Sequence, residues 1–81
     1  MPNNITVLYF ASLAEAAGID EEVIHPTSDK LEDIYNYLKI KYDFMLDQSQ
    51  LAVAINHQIS DWQSSVTSGD VIAFIPPVAG G

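Results

Sequence analysis

The 81-residue chain has the length of one domain, and a domain this small buries only about 60–65% of the surface its unfolded chain exposes, which argues against a deep enclosed active site. It contains no cysteine, so disulfides, thiolate metal sites and a cysteine nucleophile are excluded, and any sulfur it handles has to come from another molecule. Eleven acidic residues against three lysines and no arginine give a net charge of −8, which repels nucleic-acid phosphates and anionic membranes and favours a protein partner with a basic face.

In chain order, Ile5 to Phe10 is β-branched, aromatic and nearly continuous in apolarity, as expected of a central strand buried on both faces. Ala11 to Ala17 is alanine-rich and stopped by Gly18, which suits a short helix. Glu21 to His25 reads as a second strand closed by Pro26. Thr27 or Ser28 is placed to cap a longer helix, along which Leu31, Ile34, Tyr35, Leu38 and Tyr42 form one apolar stripe. Asp29, Glu32 and Asp33 lie near its start and Lys39 and Lys41 near its end, matching the helix dipole, with Lys30 the exception. Leu51 to Ile55 is a third strand, Asn56-His57 a tight turn, and Gln58 to Trp62 a short returning strand. Thr67 to Asp70 is a turn, and Val71 to Ile75 is the last strand, ended by Pro76-Pro77 because proline cannot donate to the ladder.

The order strand, strand, helix, strand, strand, strand, with the most apolar strands first and last, predicts an α+β, β-grasp (ubiquitin-like) fold. It implies a mixed sheet of about five strands with its first and last strands as central neighbours and one main helix on one face. The domain is expected over residues 1–75, with an extended tail over 76–81. No apolar run reaches the roughly 20 residues of a membrane span, and Met1-Pro2-Asn3-Asn4 lacks the features of a signal peptide. A cytoplasmic protein is expected, with no nucleic-acid or membrane partner.

The usual catalytic signatures are missing. His25 and His57 are far apart with no metal-binding spacing, and Asp20-Glu21-Glu22 reads as a solvated charged loop, so no metal is expected. Trp62 reads as partial core, and Tyr35, Tyr37 and Tyr42 as parts of the helix. The tail Pro76-Pro77-Val78-Ala79-Gly80-Gly81 differs. A terminal glycine pair arises by chance in roughly one chain in 200, and here an apolar strand and two prolines direct it outward. From Val78 on, four residues extend about 13–14 Å. Glycines without Cβ let a narrow channel close on the backbone, so Pro77, Val78, Ala79 and Gly80 are expected to thread a partner and present the Gly81 carboxylate. That group is a poor acyl electrophile until activated, for which adenylation by ATP is the usual route. The residues alone leave the acceptor open: sulfur, a thiol or an amine. Phe74 and Ile75 are expected to border the tail as a docking patch, one of them on each face of the sheet.

The chain resembles the small subunit of molybdopterin synthase over essentially its whole length. The resemblance lies in Phe10-Ala11 leading through Glu15 to Gly18, in Ile55-Asn56, in Gly69-Asp70 and in Ala73-Phe74-Ile75-Pro76-Pro77-Val78-Ala79-Gly80-Gly81. Ala14 departs from it, since relatives commonly carry a basic residue there. The resemblance implies a non-catalytic sulfur carrier with no bound cofactor. Its Gly81 would be adenylated at the expense of ATP by an enzyme similar to ubiquitin-activating enzymes, then converted by a sulfur donor protein to a thiocarboxylate. The large synthase subunit would receive the tail, and sulfur would pass to cyclic pyranopterin monophosphate. The alternatives are a sulfur carrier for thiamine thiazole synthesis and a ubiquitin-like protein modifier, with a purely structural interaction domain as a further rival.

Overall fold

In the computed structural model residues 3–77 are described. Two antiparallel hairpin-like pairs are joined by one central strand. β1 (Ile5–Tyr9) pairs antiparallel with β2 (Glu21–Ile24), and β3 (Ala52–Ile55) pairs antiparallel with β4 (Gln58–Ser60). β5 (Val71–Ile75) lies between the pairs, parallel to β1 and antiparallel to β3, giving the order β2-β1-β5-β3-β4. The expected mixed five-stranded sheet and the β1–β5 pairing are therefore present. Ser12–Ala17 forms α1, which ends at Gly18 in the left-handed conformation, at a φ of 77°. Leu31–Tyr42 forms α2. Among the described residues no helix is long and apolar enough to cross a membrane.

α2 packs its stripe of Leu31, Ile34, Tyr35 and Leu38 on one face of the sheet, against Ile5, Val7, Ile24, Val53, Ile72 and Phe74. Six aromatic rings thicken this small core. Trp62 stacks on Phe74 with centroids 5.8 Å apart, Tyr35 meets Phe74 at 5.1 Å, and Phe44 joins Tyr35 to Tyr9 and Tyr42. The Tyr35 hydroxyl donates to the Leu46 carbonyl at 2.5 Å, so its polar end is satisfied.

Several expectations need correction. Neither Thr27 nor Ser28 caps α2: the cap position is Lys30, in extended conformation. The Ser28 hydroxyl instead accepts from the Lys30 amide and donates to Asp33, while Asp29 and Lys30 are tied to Val66 and Ser65 of the facing loop. β4 stops at Ser60, because Trp62 turns in to stack on Phe74. β1 is not buried on both faces. Ile5, Val7 and Tyr9 are buried under α2, whereas Thr6 and Leu8 are only partly covered on the opposite face.

Between β3 and β4, Asn56 and His57 both have positive φ, 52° and 71°, the two-residue turn that the asparagine signals. The Asn56 side chain then ties this turn to the start of β5. Its Oδ1 accepts from the Val71 amide at 2.9 Å, and its Nδ2 donates to Asp70 at 3.0 Å.

Candidate functional site: the exit of the last strand

β5 has a neighbour on both sides from Ile72 to Phe74, and its last residue, Ile75, is paired with Ala52 of β3. Past Ile75, Pro76 is buried and Pro77 exposed. Both prolines lack an N–H, so the ladder cannot continue and the backbone turns away from the sheet. Val78, Ala79, Gly80 and Gly81 lie outside the described residues. An open hollow of about 570 Å³ flanks the exit, lined by Phe10, Ala11, Ser12, Glu15, Ile75, Pro76 and Pro77.

The register separates the two faces of the sheet. Phe74 lies on the α2 side with 0% exposure, so it is a core residue and not part of a docking patch. Strand alternation turns its neighbour Ile75 to the open face. There Leu8, Ala73 and Ala54 lie in one row across β1, β5 and β3, and Ile59 of β4 faces Ala54. Ile75, paired with Ala52, is partly exposed, and Phe10 and Ile59 are 45% and 73% exposed. The continuous apolarity of the inner strands is thus explained: only one face has a helix on it, yet both are apolar. Sequence reasoning did not single out Ile59 and Phe10 as docking residues. The signal was an isoleucine in a three-residue strand of otherwise polar composition.

His25 and His57 are both exposed, and His25 Nδ1 lies 2.5 Å from the Asn3 carbonyl. Among the described residues no group of acidic and histidine side chains could hold a metal ion. Asp20-Glu21-Glu22 is not simply a solvated loop, since Glu21 and Glu22 begin β2. Glu22 faces α2 and accepts hydrogen bonds from the Tyr9 and Tyr42 hydroxyls at 2.5 and 2.6 Å, with Lys41 3.6 Å away. Partial burial by itself raises the carboxyl pKa, but the Tyr42 and Tyr9 hydroxyls and the Lys41 charge together hold it below the ordinary value. Burial and then Glu22 push the Tyr9 phenol far up, so it stays protonated as a donor. This cluster pins β1, β2 and α2 together, and its Tyr9 is paired with Phe74, one residue before the end of β5.

Comparison with known proteins agrees with this geometry. The ThiS family matches residues 7–81. The molybdopterin synthase sulfur carrier subunit of Haemophilus influenzae is 36% identical, over 95% of this chain and 99% of its own. A chain of the Helicobacter pylori complex of molybdopterin-converting factor subunits 1 and 2 superposes with a TM-score of 0.69 at 25% identity, over 96% of this chain and 99% of that one. Small archaeal modifier protein 1 of Methanosarcina acetivorans gives a TM-score of 0.75 at 25% identity, covering 100% and 99%. Matched along nearly its whole length, with a β-grasp sheet whose central strand leads into Pro76-Pro77, the chain belongs to the ThiS family, alongside the molybdopterin synthase sulfur carrier subunits.

Proposed function

We propose that this chain is the sulfur carrier for molybdopterin synthesis and that its working group is the Gly81 carboxylate. The observation that carries the reading is the near full-length match to a sulfur carrier subunit, within a family match that runs through Gly81. The Gly81 carboxylate attacks the α-phosphate of ATP on an adenylating partner, releasing pyrophosphate and forming an acyl-adenylate. A persulfide on a sulfur donor protein then attacks the acyl carbon and displaces AMP, and a second thiol attacks the donor's sulfur in the resulting acyl disulfide, freeing the thiocarboxylate and leaving the two thiols joined as a disulfide. With the tail from Pro77 to Gly80 seated in the large synthase subunit, that sulfur passes to cyclic pyranopterin monophosphate. The acids and bases of the transfer belong to the partner, and this chain acts as a non-catalytic cosubstrate in the cytoplasm.

The open face carrying Leu8, Ala73, Ile75 and Ile59, with Phe10 at its margin, docks the large subunit. An apolar face left uncovered on an acidic domain suits association with another protein. Ile75, with Phe10 and Ile59, thereby takes the role expected of Phe74. A second reading, a protein modifier joined to target lysines, draws on the likeness to the archaeal modifier.

The test is the intact mass of the chain after incubation with ATP, the activating enzyme and a sulfur donor. Exchange of one oxygen for sulfur at Gly81 is expected. An unchanged mass, with slower-migrating conjugates in the same extract, would overturn the carrier reading in favour of the modifier. Adding a residue after Gly81 is expected to abolish sulfur transfer, since the carboxylate becomes an ordinary amide, without changing the melting temperature. An extended and unprocessed chain with full activity would contradict the proposal.

A further inference from the structure

Among the described residues β2 forms one margin of the sheet, with β1 on one side and no strand on the other. The bond from the Tyr9 amide to the Asp20 carbonyl, 2.8 Å, sets the phase of the β1–β2 ladder. Antiparallel alternation then turns the backbone groups of Glu22 and Ile24 toward β1 and those of Glu21 and Val23 outward. Natural edge strands are commonly blunted by lysine, proline or a bulge. β2 is four residues long and carries Glu21 and Glu22 but no lysine, and Pro26 comes only after the strand has ended, so its protecting charge is negative and turns away acidic partners rather than basic ones.

Beside this edge a groove of about 420 Å³ runs between β2 and α2. Its floor is apolar, with Ile24 and Ile34 buried, and Tyr37, 58% exposed, lines it from the flank of α2. On the other face of the same edge Val23 is also 58% exposed. From the unpaired edge, the apolar groove and the surrounding charge together, we infer that β2 receives an extended segment of a partner protein as a sixth strand. Alternate side chains of that segment are apolar and enter the groove, and its flanks are basic.

The charge decides the occupant. Glu22 and Asp33 are the acidic residues of the groove's lining, beside His25 and one lysine, Lys41, which is paired with Glu22, and Asp20 and Glu21 stand just outside it at the start of β2. A second copy of this chain would bring another charge of −8 and another pair of glutamates to the same edge, so a basic segment is favoured over self-pairing. Backbone pairing supplies register and affinity in such strand addition, while the groove selects the alternate side chains. β1 separates this edge from β5, so both surfaces can be occupied together.

The test uses a short synthetic peptide alternating valine and threonine with two lysines at each end, titrated into the isotopically labelled full chain. Amide shifts are expected at Glu21 to His25 and along Ile34 to Lys41, with slowed hydrogen exchange at the Val23 amide. N-methylating the peptide at its edge-facing amides, or replacing its lysines by glutamates, is expected to weaken binding by about tenfold or more. Tyr37→Ala should weaken it severalfold without affecting folding, and Val23→Pro removes the outward N–H. Equal affinity for the N-methylated peptide, or shifts confined to Ile59 and Ile75, overturns the inference. So does a concentration-dependent dimer that protects the Val23 amide without peptide.

Discussion

Two residues carry more of the local chemistry than their types suggest. Glu22 is a half-covered carboxylate whose Oε2 takes two tyrosine hydroxyls. Glu22→Gln removes the charge while keeping the shape, and hydrogen bonds to a charged acceptor are the stronger kind. The expected loss is about 2 kcal/mol, read from chemical denaturation at pH 7. Because the folded pKa lies below the unfolded one, the native contribution is present above the ordinary glutamate range and vanishes as pH falls through the folded value. The gap between wild type and variant should therefore close as pH falls below the ordinary glutamate range. Ala11 is the opposite case. At φ 50° and ψ −124° it occupies a region that suits glycine, at the turn from β1 into α1 and on the wall of the hollow beside the β5 exit. Ala11→Gly should relieve strain of about 1 kcal/mol and raise the melting temperature, against the usual direction of an alanine-to-glycine change. A lower melting temperature would mean that the turn is not strained.

At the scale of the element, β5 divides its residues between two tasks. Phe74→Ala should cost about 3–5 kcal/mol, because it empties the site against which Tyr35 and Trp62 pack. Ile75→Asp should leave the melting curve nearly unchanged and weaken binding to the large synthase subunit by about tenfold or more. Equal loss of stability in both variants would show that the open face is structural. The strands and helices are legible because hydrophobic period, Gly18, Asn56 and Pro76 are local signals. Which of Phe74 and Ile75 faces α2 is not legible, since both are large and apolar and only the register with β1 and β3 assigns the faces. The capping of α2 escapes the sequence for a related reason: Ser28 has the right chemistry, but the pairing of Lys30 with Ser65 comes from a loop distant in sequence. Glu22 lies hidden among Asp20 and Glu21, because its tyrosine partners come from β1 and the end of α2.

Across the whole molecule, acidity governs the surface. Lys39 and Lys41 are paired with Asp47 and Glu22, which leaves Lys30 outside the ion pairs seen among the described residues. The remaining carboxylates repel one another, so added salt should raise the melting temperature by screening, and a flat or falling response would contradict this. The likeness of the tail to sulfur carriers is legible because it is written in consecutive residues, whereas the open face is assembled from four strands. The placement of β5 has one more consequence. Before Val71–Ile75 has left the ribosome, the nascent chain holds two hairpins with no ladder between them, since β1 and β3 meet only through β5. A polypeptide stalled in the loop before β5 therefore lacks its keystone and stays open to proteolysis, and the segment that follows Ile75 is synthesised only after every strand of the sheet has been made.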